Sequence, residues 1–120
     1  MNERRDYWRL HIDLPATYEI VGSGEEASTT ILNISHSGLC IQSSSFIKKN
    51  TLVVLKFNLE YLGDMVLHAV VMWSGPEKGK KCAQNGVKIT DKTDSTTRKR
   101  FVHFYEQKML EPPKSEDVML

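Results

Sequence analysis

A chain of 120 residues is long enough for one compact core without a metal or a disulfide lattice. Hydrophobic residues at 40% and charged residues at 26% suit a globular protein, and a formal charge of only +1 excludes a polycation that grips nucleic acid by charge alone. No apolar run reaches the roughly 20 residues of a membrane span, and Met1 to Tyr7 lacks the apolar stretch of a secretory signal, so the sequence reads as cytoplasmic with no membrane insertion.

Residues 1–9 are polar and charged, with Arg4, Arg5 and Arg9 around Tyr7 and Trp8, and read as an arm. From Leu10 the pattern alternates strictly: Leu10, Ile12, Leu14, Ala16, Tyr18 and Ile20 share one face of a half-buried strand. Pro15 removes a ladder donor and places that strand at an edge or at a bulge. Gly22-Ser23-Gly24 signals a turn into a second strand, Ala27 to Ser35, and Gly38 to Gln42 continues as a third. After a polar loop, Val53, Leu55, Phe57 and Leu59 alternate, and a tight turn at Leu62-Gly63-Asp64 leads into a strand from Met65 to Trp73. Met65, Leu67, Ala69, Val71 and Trp73 fall on one face of it, which places Trp73 in the core. A loop rich in Gly, Pro and Lys precedes the last strand, about Cys82 to Thr90.

Asp91 to Ser95 offers helix caps, and Phe101, Phe104, Tyr105, Lys108 and Met109 recur at helical spacing. Pro112 and Pro113 stop that helix, and residues 111–120 read as a disordered tail. The expected fold is therefore all-β with one C-terminal helix: a six-stranded antiparallel small β-barrel over residues 10–110, closed because closure removes exposed strand edges.

Cys40 and Cys82 lie far apart in strand-like segments and read as buried reduced thiols. His11, His36, His68 and His103 are scattered without metal-ligand spacing. Ser35 and His36 are no catalytic pair, since adjacent strand residues point to opposite faces and no acid is placed to orient the imidazole. No general acid–base pair or nucleophile constellation can be assembled, so the chain does not read as an enzyme.

The first hairpin serves as a ruler. A turn centred near Ser23 pairs Leu10 with His36, Ile12 with Ile34 and Leu14 with Leu32, so apolar meets apolar on one face. Asn33 and Ser35 then point outward, and Arg9 reaches the open end of the hairpin beside Ser35 to Gly38. The patch combines guanidinium groups, a side-chain amide, a hydroxyl and a glycine that admits close backbone approach. An arginine fork pairs bidentately with phosphate oxygens or with guanine O6 and N7, and its plane stacks on a purine. Such a patch suits a guanine nucleotide carrying phosphates.

Arg5-Asp-Tyr-Trp-Arg9 fits R-x-x-x-R, and Asn33-Ile-Ser35-His-Ser-Gly38 fits [D/N]-x-S-x-x-G. Together they resemble the paired signature of bacterial PilZ domains. Val70 to Trp73 and Asn85 to Thr90 are similar to that family's last two strands, so the resemblance covers about residues 4 to 105. It implies a six-stranded barrel with a C-terminal helix, no catalysis, no cofactor, and binding of the second messenger cyclic di-GMP. Carried over by position, Arg5 and Arg9 bind phosphates and guanine, Asn33, Ser35 and Gly38 hold the ligand's other side, and His36 and Ser37 lie beside it. Arg4 is a third cation that favours a second stacked ligand. Asn33 stands where Asp is frequent, which removes a carboxylate acceptor for guanine donors. A single-domain receptor passes its signal through an external protein partner or self-association, here by a change in the arm.

Two other readings compete. The same fold can serve as an adaptor that binds no nucleotide, against which both intact motifs count. Lys78, Lys80, Lys81 and Arg98 to Arg100, read as solvated charge, would also suit an OB-like module for single-stranded nucleic acid, against which the near-neutral charge counts.

Overall fold

The computed structural model describes residues 9–76, 79 and 82–110. The arm before Arg9, the loop lysines Lys78, Lys80 and Lys81, and the tail from residue 111 lie outside them. The strands are β1 (Leu10–Ile20), β2 (Glu26–Ile34), β3 (Gly38–Ser43), β4 (Leu52–Leu59), β5 (Gly63–Pro76) and β6 (Ala83–Ile89). A short 3-10 turn at Glu60–Leu62 joins β4 to β5, and one helix, α1 (Ser95–Leu110), follows β6. All neighbouring strands are antiparallel, and the order β1-β2-β3-β6-β5-β4 closes on itself when β4 pairs back onto β1. The fold is the expected six-stranded barrel with a C-terminal helix. No helix among the described residues is long and apolar enough to cross a membrane.

Alternation sets which side chains fill the barrel. Val53, Leu55, Phe57 and Leu59 of β4 and Met65, Leu67, Ala69 and Val71 of β5 are buried, while their odd-one-out neighbours face outward. On β1 the same side as Tyr18 packs Leu10, Ile12, Leu14, Ala16 and Ile20 against the core. Cys40 is buried and Cys82 half-buried, both as thiols.

Three bulges interrupt this regularity, and they account for the departures from the sequence reading. The turn between β1 and β2 sits one half-residue earlier than the Ser23 ruler, pairing Glu19 with Glu26 and Leu14 with Ile31. A further register shift between His11 and Leu14 pairs Leu10 with Ile34, where the ruler gave His36. A second shift, between β2 and β3 at Ile31/Asn33, lets Ile31 and Ile34 both point inward although three residues apart. The third lies between Val71 and Trp73 and overturns the core placement of Trp73. The extra residue puts Met72 and Trp73 on the outer wall, where Trp73 remains 45% exposed. Its indole covers Gly86 of β6; a Cβ there would run into the indole nitrogen.

Asp94 caps α1, accepting the Thr97 N–H at 3.1 Å. Thr90 N–H and the Thr93 hydroxyl both donate to the His68 carbonyl, at 2.8 and 3.0 Å, which ties the start of α1 to β5. Arg98 is not the solvated charge that its sequence context suggested: its Nη2 donates to the Thr90 carbonyl at 2.6 Å. From this anchored start α1 inserts Phe101 and Tyr105 among the buried side chains of the barrel. Lys108 stays outside, its Nζ 5.8 Å from the Phe104 ring centre.

Candidate functional site

Arg9 lies just before β1, and beyond the inward pair Leu10 with Ile34 the next cross-strand pair is His11 with Asn33. His11 is exposed, so Asn33 shares the outer face with it. The Arg9 guanidinium Nη1 donates to Asn33 Oδ1 at 2.7 Å, joining side chains 24 residues apart in the chain. Arg9, the one described residue of the first motif, therefore meets the second, although the register that brings them together differs from the ruler. Arg4 and Arg5 precede the described residues.

The rest of the second motif forms a tight turn between β2 and β3. Ser35 does not point outward. It is 6% exposed, and both its N–H and its hydroxyl are directed at the Gly38 carbonyl, at 2.8 and 3.3 Å. Outward alternation fails here because β2 ends at Ile34, which faces inward, and Ser35 begins the turn. His36 and Ser37 stand exposed at its tip. The Ser37 carbonyl accepts the Ile89 N–H at 2.9 Å, which fastens the turn to β6.

Gly38 has a use that its motif position did not reveal. A Cβ there would run into the Val87 carbonyl oxygen of β6, so the missing side chain lets β3 lie close to β6, where the sequence reading reserved that closeness for a ligand. Gly38→Ala is accordingly expected to lower stability by about 1–3 kcal/mol, the range for overpacking a well-filled site, as read from a urea unfolding curve without ligand. An unchanged midpoint would mean that the strands separate at no cost.

Helix α1 contributes a core residue whose phenol feels the charge of Arg9. Tyr105 is buried, at 7% exposed, and its phenol is pushed above the ordinary tyrosine pKa by burial, while the charge of Arg9 acts to lower it and Glu106 to raise it. The helical spacing identified Tyr105 as a core residue; that the charge of Arg9 acts on it had no signal in the local sequence. On the adjoining side of α1 a groove of about 440 Å³ runs between Phe104, Leu59, Leu62 and the β1 residues Ile12 and Leu14.

The PilZ family model, described as the PilZ domain, matches residues 3–107. No curated protein matches the chain. Among solved structures, the Bacillus subtilis inhibitor of motility (MotI/DgrA) superposes with a TM-score of 0.73 at 15% identity, covering 94% of this chain and 55% of that one. The K. pneumonia MrkH–c-di-GMP complex gives 0.71 at 18% identity, over 92% of this chain and 54% of that one. The PilZ domain of YcgR from Escherichia coli, with c-di-GMP, gives 0.64 at 11% identity, over 89% and 95%. At these identities the likeness is one of fold, and this chain spans about half the length of the first two.

Proposed function

Since the chain belongs to the PilZ domain family, we propose that it is a non-enzymatic receptor for cyclic di-GMP. The observation that carries this reading is the Arg9–Asn33 hydrogen bond, which joins the arginine motif to the second motif at one point on the barrel wall. Two of the similar solved structures are described as containing c-di-GMP, MrkH and the YcgR domain.

In this proposal Arg5 and Arg9 bind the ligand's phosphates and the guanine O6/N7 edge, and Arg4 adds a third cation. Asn33 meets the guanine from β2 with an amide that both donates and accepts. Ser35 and Gly38 act mainly by holding the turn's shape, and His36 and Ser37 are its accessible tip. Capture of the ligand between the arm and this turn changes the surface that a protein partner meets. A ligand can drive such a change only as far as it binds the two surfaces differently, so the arm arginines, which make the strongest ligand contacts, are the natural carriers of the signal.

Calorimetric titration tests the reading. Cyclic di-GMP is expected to release heat and raise the melting temperature, while GTP and a short RNA bind far more weakly, because neither presents two bridging phosphates and two guanines in a compact ring. No heat and no thermal shift at high cyclic di-GMP would replace the receptor with a nucleotide-independent adaptor.

A further inference from the structure

The groove beside α1 is apolar inside and charged at its lips. Its floor is made by Ile12 and Leu14 of β1, Leu59 at the end of β4, Leu62 of the 3-10 turn and Phe104 of α1. All but Leu59 are only half-buried, although each packs against the core from one side. Apolar surface left in such a concavity favours cover by another apolar group. His103 and Lys108 stand exposed on the helix lip, and Asp13 and Glu60 on the opposite one.

The chain carries a segment suited to this site. His103, Phe104, Gln107 and Lys108 share one side of α1, and the helix ends two residues further on, at Leu110. The sequence then runs Glu111-Pro-Pro-Lys-Ser-Glu-Asp-Val-Met-Leu120. Pro112 and Pro113 cannot extend the helix, so the chain leaves its axis next to the groove. Val118, Met119 and Leu120 are consecutive apolar residues directly behind Glu116 and Asp117. The eight residues from Leu110 to Val118 span up to about 26 Å, whereas the groove runs only about 8 Å along α1 from His103 to Lys108. The reach suffices even after a full reversal.

We infer that Val118, Met119 and Leu120 fold back into the groove, with Glu116 and Asp117 beside the Lys108 lip. A volume of about 440 Å³ lies in the range that takes a compact apolar ligand, and three such side chains are of that size. A short tether supplies a local concentration of roughly millimolar, so a contact too weak to form between separate molecules is populated within one chain. The arm before Arg9 is drawn elsewhere: Asn33 holds Arg9 on the outer face, while Ile12 and Leu14 present the groove from the inward face of β1. Seated there, the segment closes the groove to any other apolar partner.

In the 120-residue chain, the Met119 ε-methyl is expected to show nuclear Overhauser contacts to the Phe104 ring and the Leu62 methyls. Val118→Ser/Met119→Ser/Leu120→Ser should move the amide resonances of Ile12, Leu59 and Phe104 and leave those of Asn33 and Gly38 in place. A chain ending at Leu110 should move the same resonances, and Glu116→Lys/Asp117→Lys should move them part of the way. Absent Met119 contacts, or unmoved groove resonances in any of these variants, overturn the inference. So does a groove shift that grows with protein concentration, which would make the occupant a second copy, or one produced only by removing residues 1–8, which would make it the arm. The triple-serine variant alters no residue of the strands or of α1, so it decides the matter if the shortened chain misfolds.

Discussion

Arg9→Ala is expected to cost about 1–3 kcal/mol of cyclic di-GMP binding, the range for one good bidentate contact to guanine, and Arg5→Ala a similar amount. The ligand-free fold should be nearly untouched by Arg9→Ala. The Arg9–Asn33 hydrogen bond lies at the surface, so once the guanidinium is gone water can satisfy Asn33 Oδ1, and the net loss is under about 1 kcal/mol. A buried polar partner would have been left unsatisfied at greater cost. Calorimetry and a thermal melt on the same sample separate the two effects. If Arg9→Ala lost as much stability as affinity, Arg9 would be a structural clasp between β1 and β2, and its role in ligand capture would fall.

The strands were legible because a half-buried barrel wall imposes a period of two, which β4 obeys from Val53 to Leu59 and β5 from Met65 to Val71. The helix was legible from Phe101 and Tyr105 at a spacing of four behind a run of capping residues, of which Asp94 is the one used. Register was not legible. Pro15 alone hinted at a bulge, and one falls just ahead of it, between His11 and Leu14; the other two have no such marker, and each bulge reverses the faces beyond it. Trp73 shows the consequence: its alternation with Val71 promised the interior, and one bulge moved it to the outer wall over Gly86. Ser35 departs for a different reason: the hairpin register predicts an outward hydroxyl, but β2 ends at Ile34 and the turn directs that hydroxyl at the Gly38 carbonyl.

The Arg9–Asn33 meeting survived the register error for a simple reason. The hairpin fixes which ends of β1 and β2 lie together, and long side chains tolerate a displacement of one or two residues. The seat of α1 had no such guide, because a helix following the last strand can settle over any part of the barrel end. Only the fold shows that Phe101 and Tyr105 of that helix are seated in the barrel core.

Phe101→Ala is expected to have the largest effect on stability. The ring is 0% exposed and joins α1 to the barrel interior, and truncating a buried phenylalanine costs about 3–5 kcal/mol in lost burial and residual cavity. Against a total of about 5–15 kcal/mol for a domain of this kind, the urea midpoint should fall by a large fraction. The slope of the unfolding curve carries the mechanism. If α1 remains docked until the barrel unfolds, the slope is unchanged and the midpoint alone drops; if α1 detaches first, less surface is exposed at the main transition and the slope falls with it. The anchors at the start of α1, Asp94, Thr93 and Arg98, remain intact in Phe101→Ala and favour the first outcome. A midpoint within the error of the wild-type value would mean that α1 adds nothing to the core.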